Sequence, residues 1–150
     1  AQVLSQREPD ARVAMLFVDS AFGAPIVERL KVLGFDNVQE VNFGETRTPD
    51  PHMENMRAYM WNRMKEWLER GAIDRNDEKL EVDLTSPGYH LNRSEQLVLE
   101  SKQQMQKRGV PPVDDGDALA LTFAQEVAPE RPQRGPEPGV YRPPAGSWMS

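Results

Sequence analysis

The chain has 150 residues, a formal net charge of −6 and no cysteine. That length suits one domain with a core of its own, and the lack of cysteine excludes a disulfide framework, a thiolate metal site and a cysteine nucleophile. The acidic balance argues against a free-standing domain that grips DNA by bulk charge, although an acidic metal site would add negative charge of its own.

Residues Ala1 to Glu8 read as a short helical end, broken by Pro9-Asp10. The abrupt start suggests the C-terminal part of a longer protein. Val13 to Val18 is an unbroken apolar run that stops at Asp19. A run this short reads as a strand buried on both faces, so Asp19 falls at a strand end. Ligands bind at that edge of open α/β sheets. A carboxylate there either caps the next helix or meets a cation, and the stretch itself leaves both open. A helix is predicted from about Pro25 to Leu33, with Gly34 ending it, and a second strand from about Val38 to Phe43. Strand, helix, strand makes a parallel crossover unit.

Gly44 to His52 is a polar loop. The next helix runs from about Glu54 to Arg70, with Met56, Met60, Met64, Trp67 and Leu68 as its core stripe. Arg57, Arg63, Lys65 and Arg70 fall on or beside its other faces, a solvated surface or a contact for a phosphate backbone. A short helix follows over Asp77 to Leu84 with Leu80 and Leu84 inward, then a loop over Thr85 to Arg93, a brief strand at Leu97 to Glu100, and a helix at Ser101 to Arg108 closed by Gly109. Asp114-Asp115-Gly116-Asp117 opens a last, well-buried helix from Ala118 to about Val127. A domain over residues 1–128 is therefore expected, followed by a Pro-rich disordered tail at 129–150 with Trp148 near its end.

Three carboxylates in four residues exceed what one helix cap requires. If that helix packs beside the first strand, Asp19 joins them at one sheet edge, where a divalent cation relieves the repulsion. The two histidines, His52 and His90, are far apart in polar loops, so a His-rich metal site or a Ser-His-Asp triad is not expected. Oxygen ligands suit Mg²⁺ or Mn²⁺. Two such ions about 3.5–4 Å apart drive in-line phosphodiester hydrolysis. No run approaches the ~18 apolar residues of a membrane span and none reads as a signal peptide, so a soluble intracellular protein without membrane contact is expected.

The segments LFVDSAFGAPIVERLKVLGF, VNFGETRTPDP, NMRAYMWNRMKEWLERGAI, LVLESKQQMQKRGV and DDGDALALTFA occur in that order over about Arg12 to Pro129. In them the chain resembles the C-terminal nuclease domain of the large terminase subunit of tailed bacteriophages and prophages. The resemblance implies an α/β, ribonuclease H-like fold, a mixed sheet flanked by helices. It implies a Mg²⁺- or Mn²⁺-dependent endonuclease with a two-metal site that cuts concatemeric double-stranded viral DNA in the host bacterial cytoplasm. The implied partners are the portal protein, the small terminase subunit and an upstream ATPase domain.

Matched residue by residue, Asp19 takes the place of the acid ending the family's central strand. Asp114 and Asp117 take those of its final D-x-x-D-A-L motif, with Asp115 as a spare metal ligand. Lys102 matches a basic residue of the ESK segment, and it and Arg57 are candidate DNA or active-site contacts. The family has a further catalytic Asp on an earlier strand that this sequence does not contain, and no G-x-x-x-x-G-K-[ST] loop is present. An N-terminally incomplete nuclease fold is thus expected, its first strand open at one edge. Two rivals follow. One is a catalytically incompetent assembly module that docks on portal or small subunit. The other, a receiver-like domain phosphorylated on Asp19, suits the long Glu54 to Arg70 helix poorly.

Overall fold

A computed structural model describes residues 13–127. The helical end expected at 1–8 and the tail expected at 129–150 lie outside the described residues. Within them the chain is mixed α/β, with five helices and two small two-stranded sheets.

The first strand, β1 (Leu16–Asp19), runs directly into helix α1 (Ser20–Val32), and β2 (Val38–Val41) returns parallel to β1, with Asp19 opposite Val41. This is the expected crossover unit, but the helix starts five residues earlier than Pro25. Asp19 accepts the Ala21 N–H at 3.1 Å and so caps the helix at the strand's last residue. Pro25 then lies inside the helix, at the loss of one backbone hydrogen bond. Gly23 lets the helix lie on the strand, since a Cβ there would run into Val18 Cγ1. Val27 and Leu30 of α1 close with Val38 of β2 over Leu16 and Val18. The strand expected to be buried on both faces is half-buried along its length.

Helix α2 (Met56–Leu68) begins where this unit ends. Met56 N–H donates to Glu45 O and Arg57 N–H to Phe43 O, four and two residues past β2, and Asn55 caps the helix through Ala58 N–H. The first turn of α2 therefore sits at the same end of the parallel pair as Asp19. Its core face is rotated from the expected stripe. Met60 and Met64 are buried as expected, but Trp61 and Arg57 join them, while Trp67 is 39% exposed and stacks on Phe123. Arg57, expected on a solvated or phosphate-facing surface, is in the interior.

Helix α3 (Glu78–Thr85) is capped by Asp77 and turns Leu80 and Leu84 inward as expected. The stretch expected to be loop contains strand β3 (Tyr89–Leu91), antiparallel to β4 (Leu97–Leu99). Its side chains are all exposed, and three residues are too short a run for a periodic signal. The other edge of β4 bridges Met53. Helix α4 (Lys102–Lys107) starts at a capping box made by Ser101 and Gln104. Helix α5 (Asp114–Leu121) contains the acidic stretch as its first turn and ends six residues before the expected Val127. It packs against α2, α3 and β1. The core joins Val41, Met60, Trp61, Met64, Met105, Val113 and Ala120.

Candidate functional site

Helix α5 has no side-chain cap of its own. Its free N–H groups are met from another helix. Asp83 of α3, only 3% exposed, accepts from Asp115 N–H at 2.9 Å and Gly116 N–H at 3.1 Å. A carboxylate is well placed at the positive end of a helix. The approach is close at Gly116, where an added Cβ would sit 3.0 Å from Trp61 Cη2 and 3.3 Å from Asp83 Cβ.

The first turn of α5 spreads its three carboxylates to three cations. Asp115 turns to Lys79 of α3 at 2.7 Å. Asp114 meets the Lys102 ammonium at 2.9 Å. Asp117 faces inward, 4% exposed, and its Oδ1 accepts from Arg57 Nε at 2.9 Å and Trp61 Nε1 at 2.8 Å. Its Oδ2 lies 3.1 Å from Lys102 Nζ, an ion pair that is not aligned as a hydrogen bond, so this buried oxygen has no hydrogen-bond partner among the described residues.

Arg57 is fixed on several sides. Besides Asp117 it donates through Nη1 to Glu100 O at 2.8 Å, and its guanidinium lies 5.7 Å from the Trp61 ring centroid. The Glu100 carboxylate is clamped in turn by Nε and Nη2 of Arg108, at 2.9 and 2.7 Å, and by Gly88 N–H. Those contacts, Arg108 first, hold its pKa down at about 2. The segment Glu100-Ser101-Lys102 thus works as a bracket. Glu100 is pinned, Ser101 caps α4, and Lys102 is delivered to the acids of α5.

Of the residues expected to form a site, Asp114, Asp117, Lys102 and Arg57 are brought together. Asp115 points away to Lys79. Asp19 lies at the same end of the parallel pair, but the bond it makes is the local cap on Ala21. Among the described residues no three His, Cys, Asp or Glu side chains gather closely enough to hold a metal ion. The donor set nevertheless fits a hard divalent ion in kind. It offers carboxylate oxygen only, Asp117 Oδ2 is buried without a hydrogen-bond partner, and Asp114 Oδ1 faces the same ammonium.

Three members of this network are absent from the sequence reading. Trp61 is signalled by its place one turn after Arg57, and Asp83 by an acid between the inward positions Leu80 and Leu84. Lys79 carries no signal, as one lysine on an exposed helix face resembles any other.

No family model, curated protein or solved structure matches the chain. No helix among the described residues is long and apolar enough to cross a membrane.

Proposed function

We propose that the chain is the nuclease domain of a viral DNA-packaging terminase large subunit, a ribonuclease H-like, Mg²⁺- or Mn²⁺-dependent endonuclease acting on concatemeric double-stranded DNA. The observation that carries this reading is the convergence of Asp114 and Asp117 on one cation. Arg57 and Trp61 fix Oδ1 of Asp117 and leave Oδ2 turned toward the cation. Asp19 would add a carboxylate from a second rigid element. The chemistry supplied by two divalent ions at such a site is activation of the attacking water and stabilisation of the leaving oxygen. On this reading the chain works in the host cytoplasm beside an ATPase domain, the portal protein and the small subunit.

The test is nicking of supercoiled plasmid in Mn²⁺ by the parent and by Asp19→Asn. Asparagine caps a helix as well as aspartate does, so the variant keeps the fold and loses only the charge. The parent is expected to nick, and the variant to lose about two orders of magnitude or more. A variant that nicks at the parent rate would remove Asp19 from the mechanism.

A second reading, the assembly module that docks on portal or small subunit without cutting, is favoured by the engagement of Asp117. Two of its neighbours occupy Oδ1 and a third stands at Oδ2, as in a purely structural ion cluster. Under it, parent and variant alike leave the plasmid intact.

A further inference from the structure

Lys102 is the first residue of α4, and its ammonium reaches the first turn of α5, 2.9 Å from Asp114 Oδ1 and 3.1 Å from Asp117 Oδ2. Those are the oxygens that a divalent ion at this place would require. Arg57 holds the remaining oxygen of Asp117, so two carboxylates face two cations and the cluster is neutral without any metal. We propose that Lys102 is a built-in competitor for the divalent ion: its ammonium takes the cation position between Asp114 and Asp117, and it must swing out before metal binds there. This inference rests on the nuclease reading above.

The two cations of the cluster differ in their freedom to leave. The Arg57 side chain is 11% exposed and tied to Asp117, Glu100 and Trp61. The Lys102 side chain is 47% exposed, and a flexible stem lets its ammonium move into water while its base stays in place. An ammonium and a divalent ion repel strongly when they contend for the same two oxygens, so displacement is the route that the geometry leaves. Asp117 Oδ2 favours the exchange, because the ammonium satisfies it by charge without an aligned hydrogen bond.

The experiment is titration of the metal-stripped full chain with Mn²⁺, following the paramagnetic resonance signal of free Mn²⁺. Parent, Lys102→Met and Lys102→Arg are compared, with thermal unfolding in the absence of metal as a check on folding. Lys102→Gln serves in place of the methionine variant should that one not fold. Removing the ammonium is expected to tighten Mn²⁺ binding about tenfold, the scale of one charge-assisted pair, while Lys102→Arg binds no more tightly than the parent. If the parent binds Mn²⁺ and the neutral variants bind equally or more weakly, the competition is overturned and the nuclease reading stands. If no protein binds Mn²⁺, both fall together.

Discussion

Asp19 and Asp117 are both aspartates in the region where a helix begins, and they are held in opposite ways. Among the described residues Asp19 makes one hydrogen bond, to a backbone N–H two residues on. Asp117 bonds to side chains fifty-six and sixty residues away and is sealed from solvent. One is a local device that a peptide could nearly make alone, and the other exists only when α2, α4 and α5 have come together. The contrast teaches that a carboxylate at a helix start is not one feature. Its cost of removal depends on what it would leave behind.

The largest effect should come from Asp117→Ala. Arg57 Nε and Trp61 Nε1 would then be buried without an acceptor, and a buried guanidinium would lose its counter-charge. Breaking such a pair costs about 3–5 kcal/mol, read as a lower midpoint in urea denaturation. A cost near zero would mean that the node relaxes to water and that the two aspartates are alike after all.

Asp83→Ala comes next. It leaves the Asp115 and Gly116 N–H groups without their acceptor, an expected loss of about 1–3 kcal/mol by the same measurement. The removal of a negative charge beside three other carboxylates works against that loss, so the lower part of the range is expected. Asp83→Asn, which keeps an acceptor, should recover part of it.

The smallest effect belongs to Asp19→Ala, about 0.5–1 kcal/mol for one exposed cap. A much larger loss would place Asp19 in a network like that of Asp117 and end the contrast.

The same contrast explains what could be read in the sequence. The β1–α1–β2 unit was legible because its signals are local: an apolar run, an acid, then a second short apolar stretch at crossover distance. The Asp19 cap belongs to that class. The sequence names Asp114 and Asp117 beside Asp19 as metal ligands and offers Lys102 and Arg57 only as possible contacts, so the gathering of Asp114, Asp117, Lys102 and Arg57 around one buried carboxylate is not legible in it. Arg57 looks like any surface arginine until Trp61 and Asp117 enclose it. Strand β3 was missed because its three residues, Tyr89 to Leu91, just after Pro87-Gly88, are too short a run to show a period. The start of α5 was placed four residues late because its cap comes from Asp83, which no local pattern can supply.

That borrowed cap also bears on how the molecule assembles. An eight-residue helix such as α5 is far too short to persist alone in water. Its opening N–H groups find their acceptor only once α3 has docked. The acids of α5 are thus presented as a group only where α3 and α5 are docked. A chain that had not closed α3 onto α5 would have no organised acidic centre.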